Sequence, residues 1–242
     1  MKNNFKVACL TGAGISAESG IATFRGMGGM WENHSIEEVA TPEGFRKNPL
    51  LVWSFYEARR RQALSCKPNK GHIGLAKLQE IMGEENVCVT TQNVDGLHQR
   101  AGTKNVLELH GSLWKVRCTK CQKEEETFEL FEELPPRCSC GGMLRPAIVW
   151  FGEPLPHDIF KRALLEARRA NLYLVIGTSG VVEPAASLAR IAASGGAVVW
   201  EINPEESALA YLCQKSFRSK AGEAIDKVVE EILNIDLSLK KL

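Results

Sequence analysis

The chain has 242 residues, 44% of them hydrophobic and 24% charged, with a formal net charge of +1. That composition belongs to a globular protein of one large domain, or one domain with a small insert. Near-neutral charge excludes a broad electrostatic footprint for nucleic acid or an anionic membrane, and no apolar run approaches membrane-spanning length.

Residues 5–10 read as a buried strand running into Gly12-Ala13-Gly14-Ile15-Ser16-Ala17, a G-x-G-x-x-A pattern directly after a strand. Glycines at such a place let the backbone approach a pyrophosphate seated at a helix N-terminus. The acidic residue expected about twenty positions on, at the end of a second strand, is missing. Glu32 has the spacing, but residues 19–33 are glycine-rich and carry no strand pattern. They predict a long loop of the kind that forms lids, with Arg25 placed to reach phosphate or carboxylate.

Thr41 and Pro42 start a helix. Residues 49–65 form a second, with Leu51, Val52, Phe55 and Ala58 at helical spacing and Tyr56 and Arg59 on one face. Asn69 caps a third through Met82, with Ile73, Leu78 and Ile81 inward. Residues 86–91 are a β-branched strand ending at Gln92, Asn93 and Asp95; residues 105–109 are a short strand ending at His110. Carboxyl ends of strands are where open α/β sheets bind ligands. An imidazole there can take a proton near neutral pH, although turn residues beside a buried histidine would look the same.

Residues 115–145 form an insert with Cys118-x2-Cys121, sixteen residues, then Cys138-x-Cys140. Paired cysteines at this separation read as a tetrahedral zinc ribbon. With all four ligands filled the metal is structural and holds together an insert too small for its own core. After it the α/β pattern resumes: strands at 147–151, 171–176 and 197–202 and helices at 158–170, 184–194 and 222–235. The expected fold class is α/β, a Rossmann-like doubly wound parallel sheet with a smaller zinc-ribbon plus helical module. The eight cysteines include Cys9 and Cys88 in predicted buried strands, and the N-terminus has too short an apolar run for a signal peptide. The expectation is a cytoplasmic, reduced protein.

Taken together, GAGISAESGIATFRG (12–26), TQNVDGLH (91–98), LHG (109–111), the two cysteine pairs, VWFGE (149–153), GTS (177–179) and INP (202–204) resemble the sirtuin family over nearly the whole chain. Tyr56-x-x-Arg59 and Ala40-Thr41-Pro42 resemble the subgroup that removes acidic acyl groups, such as succinyl, from lysine. The resemblance implies that NAD is consumed as co-substrate and that one structural zinc is held by Cys118, Cys121, Cys138 and Cys140. The acyl-lysine oxygen attacks the anomeric carbon, nicotinamide leaves, and 2′-O-acyl-ADP-ribose is released with free lysine. His110 then matches the base, with Asn93 and Asp95 holding the carboxamide of nicotinamide. Gly12, Ala13, Gly14 and Ser16 would cradle phosphates through backbone amides. Further cofactor contacts implied are Ala17, Thr23, Phe24, Arg25, Trp31, Gln92, Gly177, Thr178, Ser179, Asn203, Pro204, Glu205 and Ala221. Tyr56, Arg59 and Ala40 would line the acyl pocket. Val149, Phe151, Gly152, Glu153 and Val181 would take an acyl-lysine peptide as an added strand.

Three segments (1–30, 84–111 and 146–242) would make the NAD domain, 31–83 the helical module and 112–145 the zinc ribbon. A monomer is expected, with neither membrane nor nucleic acid as partner. Other readings compete. Dinucleotide sites often serve hydride transfer, and Tyr211-x3-Lys215 mimics the Tyr/Lys pair of one dehydrogenase group, although it follows the last predicted core strand. A zinc ribbon can grip nucleic acid, but Lys115, Arg117, Lys120 and Lys123 run straight into Glu124, Glu125 and Glu126, a solvated face. Within the resemblance, a plain deacetylase or a mono-ADP-ribosyltransferase is the alternative.

Overall fold

The computed structural model describes residues 5–22, 30–31 and 34–239. In chain order, β1 (Val7–Thr11) leads into α1 (Ala13–Ala17). A short antiparallel pair follows, β2 (Met30–Trp31) and β3 (His34–Ser35). Then come α2 (Ile36–Val39), α3 (Pro42–Lys47), α4 (Pro49–Ser65) and α5 (Lys70–Met82). The chain continues through β4 (Val87–Thr91), α6 (Leu97–Arg100) and β5 (Leu107–Glu108). The insert holds β6 (Gly111–Cys118), β7 (Glu124–Glu126) and β8 (Leu144–Ile148). The remainder is α7 (His157–Arg169), β9 (Leu172–Ile176), α8 (Ser187–Ser194), β10 (Val198–Ile202), β11 (Lys215–Phe217) and α9 (Ala221–Leu239).

Among the described residues, six strands pair in parallel in the order β11-β10-β9-β1-β4-β5, and three pair antiparallel as β7-β6-β8. Strands β1 and β9 are buried throughout, as a central strand covered on both faces must be. On one face Val7, Cys9, Leu172 and Leu174 pack against Ile15 of α1, Leu75 and Leu78 of α5 and Ile225, Val228 and Ile232 of α9. On the other, Ala8, Leu10, Tyr173 and Val175 meet Ala163 and Ala167 of α7 and Leu188, Ala189 and Ala192 of α8. A third core joins α4 to the zinc ribbon through Trp53, Phe55, Tyr56, Trp114, Val116 and Trp150. The chain leaves β1 toward β4 on one side and returns to β9 on the other, so the turns after β1 and β9 sit at the topological switch point, where a ligand crevice opens.

Several expectations are corrected. The strand expected at 105–109 is only Leu107–Glu108. The strand expected at 147–151 starts earlier and stops at Ile148, and it pairs antiparallel with β6 in the zinc ribbon instead of rejoining the parallel sheet. Strand β6, and the edge strand β11 that begins at Lys215, carry no clean alternation and escaped the sequence reading. The helix expected from Pro184 begins at Ser187. Residues 19–33, read as strandless, supply β2. Ala58, Ile73 and Ile81 face solvent, with Ile73 and Ile81 each 52% exposed. The inward stripe of α5 is instead Gly71, Gly74, Leu75 and Leu78. The reason is close helix packing: a Cβ on Gly74 would lie 2.3 Å from Ile225 of α9, so small residues, not the bulkiest ones, mark the buried face.

Candidate active site

Two turns form the floor of the crevice. Gly12 N–H donates to Ile176 O at 3.0 Å and Gly14 N–H to Gly177 O at 2.7 Å. A Cβ on Gly12 would stand 2.7 Å from Thr178 Cβ, and one on Gly14 2.7 Å from Gly177 Cα. Loop-on-loop contact is therefore what requires these glycines. Their two amides, expected on a phosphate, donate to the end of β9 and to the turn after it; Ala13 lies half-buried and Ala17 exposed on α1.

Gln92 links three strand ends. Its Nε2 donates to Thr178 Oγ1 at 3.0 Å, and its carbonyl accepts from His110 Nδ1 at 3.0 Å. A carbonyl only accepts, so Nδ1 carries the proton and Nε2 the lone pair. Desolvation lowers the pKa of His110, partly opposed by the Gln92 bond. A neutral ring with a bare Nε2 is the working form of a general base.

Asn93 spends both amide hydrogens, on Gly12 O at 3.1 Å and Ser16 Oγ at 3.0 Å. Ser16, fully buried, passes its own hydrogen to Asp95 Oδ2 at 2.8 Å. Asp95 Oδ1 accepts from Leu97 N–H at 2.9 Å, and its backbone carbonyl from Trp114 Nε1 at 2.8 Å. Burial raises the pKa of Asp95 despite these two side-chain bonds. Behind Ser16 stands His72: its Nδ1 accepts from Asn69 N–H at 3.3 Å, which leaves Nε2–H facing Ser16 Oγ at 3.3 Å. His98 packs edge-on against His72, ring centroids 4.9 Å apart, and meets Thr11 Oγ1 at 2.9 Å. Burial pulls His72 down to about 4 and His98 to about 3. The sequence carried no signal for His72, an ordinary helical residue until the fold brings it beneath Ser16, and His98 stood only as the last residue of the TQNVDGLH motif, with no role assigned to it.

Toward β10, Asn203 Nδ2 donates to Thr178 O at 3.1 Å. Ser179, Pro204 and Glu205 are exposed beside it. Ala221 is buried at the start of α9 and packs against Gly71. Thr23, Phe24 and Arg25 lie outside the described residues; Trp31 belongs to β2.

On α4, Arg59 is 9% exposed and lines a cavity of about 210 Å³ with His34, Leu51, Ser54, Phe55 and Ala58. Its guanidinium stands 4.1 Å over the Phe55 ring. Tyr56 is fully buried, and its hydroxyl accepts from Trp150 Nε1–H at 2.9 Å. The structure thus brings Arg59 to the cavity and turns the Tyr56 oxygen toward Trp150. Ala40 is buried, and its carbonyl accepts from Phe151 N–H at 2.9 Å. Val149 N–H donates to His110 O at 2.9 Å, which ties the next segment to the histidine's own backbone. Phe151 and Val181 are exposed apolar side chains, at 49% and 67%. Gly152, at φ +87°, makes a turn that a side chain would strain, and Glu153 pairs with Arg145 at 2.6 Å.

The four cysteines of the ribbon converge with all sulfurs within 4.8 Å of one another. Cys118 and Cys140 Sγ are 3.5 Å apart, and Cys121 and Cys138 Sγ 3.8 Å. Tetrahedral thiolates at about 2.3 Å from a zinc ion sit about 3.8 Å apart, so the residues present fit that metal. These separations are far beyond a disulfide. The backbone N–H groups of Cys121 and Lys120 hold the Cys118 thiol down to about 6, toward the thiolate a metal needs. A Cβ on Gly142 would come 2.7 Å from Cys118 Sγ, so the shorter C-x-C arm closes around a glycine.

Comparison with known proteins agrees with this geometry. The family model described as "Sir2 family" matches residues 12–184. An NAD-dependent protein deacylase of Aquifex aeolicus (strain VF5) is 49% identical over 229 residues, covering 94% of this chain and 95% of that protein. One of Pyrococcus furiosus is 48% identical over 241 residues, covering 97% and 95%. Among solved structures, a Sir2 homologue in complex with NAD superposes with a TM-score of 0.88 at 45% identity, covering 96% of this chain and 90% of that one. A Sir2 protein with a p53 peptide and NAD+ gives 0.82 at 35% identity, covering 93% and 92%. With a family model spanning most of its length and relatives near half-identical end to end, the chain belongs to the Sir2 family.

Proposed function

We propose that this chain is an NAD-dependent protein-lysine deacylase that works best on acyl groups ending in a carboxylate. One observation carries the general activity: His110 is held neutral, with Nε2 free of the Gln92 bond, on the same strand-end cluster as Asn93 and Asp95. NAD, the co-substrate, supplies an electrophilic anomeric carbon when bound. Our reading has Asn93 and Asp95 orient its carboxamide, His110 Nε2 take a proton from a ribose hydroxyl, and the 12–14 turn, Ser16, Thr178, Ser179 and Asn203 line the remaining crevice. Zinc at the four cysteines keeps the ribbon folded. The acyl-lysine peptide lies between Val149–Glu153 and Val181 as an added strand, with the exposed side chains of Phe151 and Val181 offering apolar contact. Among the described residues no helix is long and apolar enough to cross a membrane. We read the protein as a cytoplasmic monomer, with the Rossmann-like, helical and zinc-ribbon parts divided near residues 31, 84, 112 and 146.

The acidic-acyl reading is supported by Arg59, a nearly buried cation beside a cavity. A carboxylate entering such a pocket leaves water, and a guanidinium fork offsets that cost with charge-assisted hydrogen bonds. Stranding a buried carboxylate costs on the order of 3–5 kcal/mol. Arg59→Met is therefore expected to raise KM for a succinyl-lysine peptide about 10²-fold more than for its acetyl counterpart. Mass-spectrometric turnover of both peptides with NAD measures this. Equal losses on both would mean that Arg59 supports the fold, and would return the protein to the plain deacetylases.

A further inference from the structure

We infer that Trp150 is a specificity-determining positioning residue: its indole N–H occupies one lone pair of the Tyr56 hydroxyl and sets the direction in which that hydroxyl donates, and with it the preference among acyl-lysines. The inference rests on the acidic-acyl reading above.

Trp150 is 2% exposed and Tyr56 fully buried, with Nε1 2.9 Å from Oη. An indole nitrogen only donates, so Oη is the acceptor here and the phenol's own hydrogen points away from Trp150. Unlike a water molecule, the indole cannot turn to accept, so the hydroxyl has a set polarity. Arg59 stands three residues along the same helix, so Tyr56 and Arg59 lie on one face. A hydroxyl that donates onto that face complements a carboxylate; one that accepts opposes it.

The ring itself is clamped. Arg145 stacks on it with Cζ 3.6 Å from the centroid. Arg145 is held in turn by Glu153, at 2.6 and 2.9 Å, and by Ile148 O at 2.9 Å. Glu153 Oε2 also accepts from Trp150 N–H at 2.9 Å, and Phe45 lies 5.3 Å from the indole. The donor therefore cannot swing away when a substrate enters. The same segment supplies Phe151 N–H to Ala40 O, so peptide rim and acyl pocket are built on one rigid strip.

The test is a double-mutant cycle on the full-length enzyme, measuring kcat and KM for succinyl-lysine and acetyl-lysine peptides. Trp150→Phe keeps an aromatic ring under Arg145 and removes the donor. It is expected to lower the succinyl-to-acetyl ratio of kcat/KM about tenfold, through KM. Tyr56→Phe is expected to lower it by a similar factor, and the double variant by no more than either single change. Should Trp150→Phe fold poorly, benzothienylalanine at position 150 keeps the two-ring shape and lacks only the N–H, with the same expected ratio. A ratio unchanged in the Trp150 variants while Tyr56→Phe lowers it overturns the inference. So does a double variant whose loss is the product of the singles, because Trp150 would then act by another route. If the wild-type protein favours acetyl-lysine and Arg59→Met leaves the ratio untouched, the acidic-acyl reading itself has failed.

Discussion

At the scale of single residues, His110 makes the sharpest prediction. Its Nδ1–H is fixed on Gln92 O, and burial depresses its pKa below the ordinary imidazole value. Removing a general base costs roughly 10²–10⁴-fold in rate, so His110→Ala should lose that factor in kcat while NAD affinity, read by calorimetry, changes little. Because the folded pKa is lowered, the base stays unprotonated below pH 6.5, and the acid limb of kcat/KM should fall below the usual imidazole range. A limb at or above 6.5 would place the base elsewhere. The motif TQNVDGLH pointed to Gln92, Asn93 and Asp95 because the carboxyl end of a strand is where open α/β sheets bind ligands. It gave no hint of His72, since a histidine three residues after a helix cap is legible only as a capping partner until Ser16 is found against its other nitrogen.

At the scale of elements, the approach of α5 to α9 turns on Gly74. Alanine there gains up to about 1 kcal/mol of helix propensity. Its Cβ, however, would sit 2.3 Å from Ile225, a fully buried and stiff β-branched side chain. Overpacking of this kind costs about 1–3 kcal/mol. The net expectation for Gly74→Ala is a destabilisation of about 1–2 kcal/mol, seen as a lower urea midpoint with an unchanged slope; a raised midpoint would show that the helices separate freely.

The zinc ribbon makes a second prediction at this scale. Buried Arg60 of α4 donates to Leu113 O, Thr127 O and Glu129 O, while its partner Glu57 accepts from Phe131 N–H at 2.7 Å. The ribbon is thus bolted to the helix that carries Tyr56 and Arg59. Stripping the metal with a strong chelator should melt the ribbon and abolish succinyl-lysine turnover without any change in chemistry at His110. Elemental analysis should find one zinc per chain before chelation. Full activity in metal-free protein would contradict both the site and the coupling.

At the scale of the whole molecule, the paired rings beneath the crevice make stability depend on pH. His72 and His98 stay neutral in the folded chain down to about 4 and 3, whereas an unfolded chain charges them near 6.5. Below 6.5 the unfolded state therefore binds more protons, and stability that is complete above 6.5 falls as pH drops toward 4. By pH 5 the two rings together account for a loss on the order of 2–4 kcal/mol. Asp95 acts in the opposite sense: its raised pKa lets the folded chain take that proton first, which offsets part of the loss. Urea midpoints measured from pH 8 to 5 should decline, and His98→Gln should flatten the curve. A midpoint constant over that range would mean that both rings are solvated.

Local pattern alone specified five of the six parallel strands, the glycine turn after β1, the four cysteines and the polar strand ends, because each of those signals is written within a few consecutive residues. Periodicity also drew the right helices, yet it pointed Ile73 and Ile81 the wrong way, since the buried face of a helix is chosen by how closely its neighbour approaches. It likewise sent residues 147–151 to the main sheet, although an isolated apolar run cannot say which strand it will pair with. Only the tertiary structure decided that the Gly12 and Gly14 amides donate to the end of β9 and the turn after it, that His72 and Ser16 steady Asp95, and that Trp150 holds the Tyr56 hydroxyl. Each of those is a contact between residues 56 to 164 positions apart in the chain, and a hydrogen bond at that separation exists only after the core has closed around it.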